Sequence, residues 1–387
     1  MTKEKKRSVF IICLFVLING FVFANKSMWK DESFQQLDKE QFRRLEEGKE
    51  DPLFISKLII EKANNRPSIY LINAYTVSGI VNKNKGFYVT ALDNYLKASK
   101  ISLELKDEGR YSASLNNIGI IYVLQENYSK AIYYFNKSLE IEEDRKDPLQ
   151  KSIRYFNLGD CYKELSKYNE AIGFYTNSLL IENKLKNEVG IIYAQLGLAE
   201  VYLSTKRIAD AEQALSEIEK MQEAFDNESK VLFLRLKGKL SKKKLQFDAA
   251  ENFFMEAKDL SERNELINEQ VKVTQNLSEL FELKKDYKKA LKYSKEFLNL
   301  NNTLKSNHIK NQLEEMIYQQ EIQQKELEIK YLKEQKVLAI KNENAVRKLR
   351  QFDIKIAIFS VLSMLSFVGI VVFGLRKMIR INKENEK

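Results

Sequence analysis

An all-α fold of stacked helical hairpins is predicted by three features of this 387-residue chain. The stretch NIGIIYVLQENYSKAIYYFNKSLEI, beginning at Asn117, returns forty residues later as NLGDCYKELSKYNEAIGFYTNSLLI, beginning at Asn157. Only 13 glycines and 3 prolines interrupt a chain that is 30% charged, which favours long helices over sheet. A run of charged helix formers and then an uncharged apolar run follow the repeats.

The repeat pairs small residues with rings at fixed offsets. Gly119 maps to Gly159, Tyr122 to Tyr162, Ala131 to Ala171 and Phe135 to Tyr175. Glycine or alanine beside an aromatic at helical spacing predicts two closely packed helices with the ring filling the space next to the small residue. The register extends to Gly79 and Ala91 on one side, and to Ala199, Tyr202, Ala211, Gly238, Ala250 and Ala290 on the other.

These positions resemble the tetratricopeptide repeat, a helix-turn-helix unit carrying Leu-Gly-x-x-Tyr, then alanine, an aromatic and a second small residue. Leu158, Gly159, Tyr162, Ala171, Tyr175 and Ser178 occupy those positions in the clearest copy. The resemblance covers residues 70–304 in about six units and implies a right-handed superhelix. The spacing of forty, against the family's thirty-four, predicts longer helices or connections. In the last two units the motif tyrosine is replaced by Ser241 and Phe281.

Residues 1–24 read as an export signal: Lys3, Lys5, Lys6 and Arg7 precede an apolar run, and Val22-Phe23-Ala24 suits cleavage. The alternative is an uncleaved anchor. After cleavage Cys161 is the one remaining cysteine, beside Tyr162, and is expected to be a small buried hydrophobe. Residues 25–69 read as a helical cap on the first unit, because each unit of such an array buries its core only against the next.

In this family the first helix of each unit lines the concave face. The resemblance therefore places Asn73, Thr76, Asn116, Ile120, Phe156, Asp160, Tyr193 and Glu200 along a peptide- or protein-binding groove. Asn117 and Asn157 add amides that can hydrogen-bond an extended backbone without selecting side chains. The other reading of these asparagines, equally weighted, is a bond to the neighbouring repeat. The lysine-asparagine set that binds C-terminal carboxylates in chaperone-binding members is not found.

The net charge of +10 is shared between the two termini and a mild excess elsewhere, with no basic stripe, so nucleic acid is not expected as a partner. A single histidine, His308, leaves no metal cluster, and no glycine-rich phosphate loop is present. Neither catalysis nor a cofactor is expected. Glu142, Glu143 and Asp144 read as solvated charge at a helix end.

Residues 305–352 are rich in Gln, Glu and Lys and predict one long helix. A seven-residue seam at Ile317, Gln324, Tyr331, Leu338, Ala345 and Phe352 offers a weak coiled coil and a route to a homodimer. A solvated single helix laced by Glu–Lys pairs explains the same residues. Residues 356–375 carry no charge over twenty positions, the length of a membrane span, and Lys355 and Arg376 bracket them. Given the export signal, the repeats are expected on the extracytoplasmic (periplasmic) side and the basic tail 376–387 in the cytoplasm. Signal, repeats, charged helix and single span together resemble the exported sensory half of bacterial tetratricopeptide histidine kinases and LuxR-type regulators. Because the chain ends twelve residues after the span, the output domain is expected to be missing or on a separate chain.

Overall fold

A computed structural model describes residues 32–48, 51–64 and 66–385. The proposed export signal therefore lies outside the described residues, as does Cys13. Among the described residues every regular element is helical. The chain divides into two compact units, the first ending at Met316 and the second beginning at Ile317.

Among the described residues two helices, α1 (Glu32–Glu47) and α2 (Pro52–Ala63), precede the repeats. The hairpins are α3 (Ile69–Lys85) with α4 (Tyr88–Glu104), then α5 (Glu108–Leu124) with α6 (Tyr128–Arg145). Next come α7 (Pro148–Glu164) with α8 (Tyr168–Leu185), and α9 (Glu188–Ser204) with α10 (Ile208–Ile218). The last pairs are α11 (Asn227–Lys243) with α12 (Phe247–Arg263), and α13 (Ile267–Leu283) with the start of α14 (Tyr287–Asn385).

Most of these helices are 17 residues long and joined by two or three residues, so the forty-residue period comes from lengthened helices rather than lengthened loops. Many of the connections work alike. Asp107, Asn127, Asp147 and Asp226 each accept a hydrogen bond from the backbone N–H three residues on, which satisfies a donor the helix start leaves unpaired. The preceding helix ends on a left-handed residue, and that residue is rarely glycine. Lys106, Glu126, Lys146, Ser166, Lys186 and Lys206 recur every twenty residues with φ between 53° and 60°. Gly86, at φ 82°, holds the same position one step earlier. The regularity fails once. Helix α10 stops after 11 residues, a short 3-10 turn (Gln222–Ala224) follows, and the alanine register slips to thirty-nine between Ala211 and Ala250.

The small-residue register lies at the helix crossings. Ala91, Ala131, Ala171, Ala211, Ala250 and Ala290 are all buried. A Cβ added to Gly79, Gly119, Gly159 or Gly238 would come within 2.4–2.7 Å of the ring of Tyr95, Phe135, Tyr175 or Phe254 respectively. Ala199 tolerates its methyl because Leu215 stands where the ring would be, and both are buried in one cluster. In the last pair, Phe281 is buried and stacks on Tyr293 at 5.4 Å, so replacement of the motif tyrosine leaves the packing intact. Tyr122, Tyr162 and Tyr202 lie half-buried against the crossings. Cys161 is buried, and burial, with Asp160 and Glu164 nearby, pushes its thiol up to about 12.

Two features depart from the sequence reading. No boundary appears at residue 304 or 305: with no glycine or proline between Tyr287 and Phe352 to stop it, α14 simply continues. And Glu142 is not solvated. It continues the inward stripe of Ala131, Phe135 and Ser138, and is buried 2.7 Å from Arg145 and 3.7 Å from the fully buried Arg154. In the second unit, Leu338 and Phe352 of the heptad seam are exposed in the single chain. The apolar run is exposed too: Phe359 is 75% accessible and Phe373 71%. Within Glu334–Met378 the helix is long and apolar enough to cross a membrane.

Candidate functional site: a charged groove on the first helices

The first helices of the hairpins carry a cavity of about 370 Å³. Helix α7 supplies Leu149, Ile153, Phe156, Asn157, Asp160 and Lys163, and α9 supplies Val189, Tyr193 and Glu200. From α11 come Leu232 and Arg235, and from α13 Glu269 and Lys272. The stagger follows from the repeat: residues about forty apart occupy equivalent places on successive first helices, so side chains some thirty-five apart meet across neighbours.

Those meetings form a ladder of alternating charge. Lys163 lies 3.3 Å from Asp160 and 3.2 Å from Glu200. Arg235 lies 3.1 Å from Glu200 and 2.8 Å from Glu269, and Glu269 reaches Lys272 at 2.8 Å. Burial alone would push the Glu200 carboxyl up, but Lys163 and then Arg235 outweigh it and hold the group below the usual carboxylate range. Burial likewise opposes the charge on Lys163 and Arg235, and their carboxylate neighbours raise both. Lys239, 4.0 Å from Glu200, is instead lowered by burial, with Arg235 and Lys242 repelling it. Two tyrosines fix the walls. Tyr175 donates to Asp160 at 2.6 Å and Tyr193 to Asp226 at 2.9 Å, and burial together with these carboxylates raises both phenols.

The ladder leaves a surplus of negative charge. Six carboxylates line the cavity (Asp160, Glu182, Glu200, Asp226, Glu228 and Glu269) against three cations, Lys163, Arg235 and Lys272. Burial raises Glu228, and the charges of Asp226 and Glu269 raise it further.

Phe156, Asn157, Asp160, Tyr193 and Glu200 of the anticipated groove residues line this cavity. The others lie elsewhere. Asn73 is buried and donates to Asp38 of α1 at 3.0 Å, so its amide is taken up by that helix. Thr76 returns its hydroxyl to the Ile72 carbonyl. Asn116 accepts from Asn157 at 2.8 Å, which joins α5 to α7. Asn117 is buried within α5, and Ile120 packs against the neighbouring core. Asn157 thus bonds the adjacent repeat while also lining the cavity.

Sequence reading missed Lys163, Glu182, Asp226, Glu228, Glu269 and Lys272. A signal existed for Lys163: a cation thirty-seven residues before a glutamate, repeated at Lys242 and Glu279, which meet at 2.7 Å. None existed for Asp226, because it sits in the connection where the register slips.

Tetratricopeptide repeat family models match residues 70–144 and 155–188. Among solved structures, the apo form of RapI superposes with a TM-score of 0.60 at 16% identity, covering 71% of this chain and 99% of that one. The array is a tetratricopeptide-type solenoid. Aspartyl phosphate phosphatase F from Bacillus subtilis superposes with a TM-score of 0.51 at 18% identity, covering 77% of this chain and 73% of that one. At such identities the likeness is one of fold. No curated protein matches the sequence. The solenoid fold is that of a protein-interaction scaffold, whose curved inner surface presents successive helices to a partner.

Proposed function

We propose that this protein is a membrane-anchored, extracytoplasmic module that binds a peptide or protein segment in the α7–α13 groove and performs no catalysis of its own. The cavity carries the reading: it combines apolar walls (Leu149, Ile153, Phe156, Leu232) with charged groups already held in place by one another. Preorganised polar groups on rigid helices bind with little ordering cost. The surplus of carboxylates selects a cationic segment, one bearing lysine, arginine or a free amino terminus, with an apolar neighbour for the walls.

Selection of a random short-peptide library on the detergent-solubilised full chain tests this. Enrichment of basic-plus-apolar sequences is expected, and Glu228→Lys should cut their binding about tenfold or more. Asn157→Ala, which removes an amide that lines the cavity, should weaken binding further. Selection without basic enrichment sinks the charge argument.

Anchoring rests on the apolar run of residues 356–375, which is exposed among the described residues. An exposed run of twenty uncharged, mostly apolar residues carries a prohibitive cost in water, and a bilayer removes it. Sidedness rests on the export signal read in residues 1–24. Protease treatment of intact cells should digest the repeats and spare the tail; protected repeats reverse the orientation.

A second reading is the sensory half of a two-part signalling system, with a histidine kinase or LuxR-type regulator on a separate chain. Its support is that α14 carries both the end of the array and the apolar run on a single element. A kinase or regulator reading frame beside this gene is the expected finding, and unrelated neighbours count against it.

A further inference from the structure

Within Glu334–Met378 of helix α14, one face runs unbroken through the charged stretch and the apolar run. In the charged stretch that face carries Leu338, Asn342, Ala345, Leu349 and Phe352. In the apolar run it carries Ile356, Phe359, Ser363, Ser366, Ile370 and Phe373. The steps alternate between four and three residues, and the resulting average of about 3.5 keeps the face turned to one side when two helices wind left-handed around each other. Leu338, Leu349, Phe352, Phe359 and Phe373 are all exposed in the single chain. Ahead of Leu338 the alternate positions become Gln335, Glu328 and Glu321, so the seam begins at Leu338.

The chemistry of that face calls for a copy of itself. Asn342 places an amide in an apolar series, and an identical amide directly opposite satisfies both its donor and its acceptor. A single asparagine on such a seam fixes the register of a parallel pair. Lys348 precedes Leu349 and Asp353 follows Phe352, the two flanking positions that meet across parallel helices, so a symmetric pair forms this ion pair twice. Arg347 and Glu343, on the face turned away, pair with each other at 2.7 Å on their own helix. In the apolar run, Ser363 and Ser366 are small enough to let two backbones approach, and packing of that kind holds helices together in a bilayer. The Ser366 hydroxyl donates to the Ser363 carbonyl at 3.0 Å. Val337, Ile340 and Ile354 fall outside the seam. Two copies anchored by the same run enter the bilayer parallel and at equal depth, so each seam position meets its own counterpart.

We propose that two copies of this chain pair in parallel and in register along residues 338–373, with Asn342 facing Asn342 and the two serines enclosed at the contact within the membrane. Pairing removes Leu338, Leu349 and Phe352 from water and the serines from lipid. It rests on the anchoring read in residues 356–375 and goes beyond it by naming a second copy as the partner of that helix. It does not depend on what the groove binds.

The test is oxidative cross-linking of the full chain in the membranes of cells that produce it. Single cysteines go on the seam as Ala345→Cys, Phe352→Cys or Ser366→Cys, and on the far face as Ile340→Cys, Ile354→Cys or Val368→Cys. The background is Cys13→Ser, which leaves the buried Cys161 native. Disulfide-linked dimer should form about tenfold faster or more at the seam positions, because only there do equivalent residues face each other. Asp353→Lys, which sets lysine against lysine, should slow cross-linking at Phe352→Cys about threefold, and adding Lys348→Asp should restore it. Equal or faster cross-linking from the far face overturns the proposal, as does absence of dimer from every position while the chain is in the membrane fraction. Failure of the charge exchange to restore the rate overturns the in-register pairing. Recovery of the chain in the soluble fraction removes the anchoring, and the pairing with it.

Discussion

The two halves of the repeat array hold their hairpins together by different chemistry. In the first half, Ser112 and Ser138 share a hydrogen bond at 2.8 Å between α5 and α6, and Ser152 and Ser178 repeat it at 2.9 Å between α7 and α8. Arg154 lies fully buried beside them, donating to Ser138 at 2.7 Å and to Gln150 at 2.9 Å, with Glu142 as its counter-charge. In the second half the same register positions are Ile192 and Ile218, and the place of Arg154 is taken by Ala194. There the core is one continuous apolar cluster from Ile191 to Tyr293. The first half keeps strict forty-residue spacing, whereas the register slip falls in the second. Directional hydrogen bonds constrain the offset between helices, while a greasy interface tolerates a one-residue adjustment.

The largest effect that would break this contrast is at Arg154. Arg154→Ala takes the guanidinium away from Ser138, Gln150 and Glu142, leaving Arg145 as the carboxylate's remaining charged neighbour, and should cost about 3 kcal/mol of stability in the first half, measured by denaturant unfolding. Replacing both residues, as Arg154→Met with Glu142→Leu, should recover most of that loss. A mild effect of Arg154→Ala alone would mean the polar interface is dispensable.

Ile218→Ser, which imports the first half's chemistry into the second, should cost about 3 kcal/mol, because the hydroxyl replaces a packed side chain with no serine opposite it. The reciprocal loss, Ser178→Ala, should cost only about 1 kcal/mol. Equal penalties would erase the distinction.

A further polar site sharpens the contrast through pH. Burial raises the Asp38 carboxyl to about 6, against hydrogen bonds from Asn73 and Gln41 that lower it. A group raised in the fold stabilises it fully below its ordinary value near pH 4, and that stability is lost as pH rises through about 6. Stability should therefore fall by about 2 kcal/mol from this group between pH 4 and 7. Asp38→Asn should flatten that slope, as read by thermal unfolding across the same pH range.

The smallest effect lies in the connections. Lys146→Gly removes a left-handed strain at φ 55° and should stabilise α6 by up to about 1 kcal/mol, offset in part by the freer unfolded chain.

Much of this architecture was readable in the residues because an array depends on neighbours in sequence. The alanine and glycine register located six crossings, since a ring and the small residue that admits it must recur together on every hairpin. The groove was readable only in part. Phe156, Asn157, Asp160, Tyr193 and Glu200 followed from position within the unit, whereas Asp226 and Glu228 lie where that unit is broken. Glu142 was misjudged because charge at a helix end is usually solvated, and its inward stripe matters more than its type.

The sequence alone established helical hairpins of fixed period and an apolar run of bilayer length, because both depend on local spacing. The charge ladder, the burial of Arg154 against Glu142 and the seating of Glu315 on α4 needed the folded chain. Each depends on how far the superhelix turns per repeat, and small increments of rotation that no single repeat encodes add up to bring residues 225 positions apart into contact.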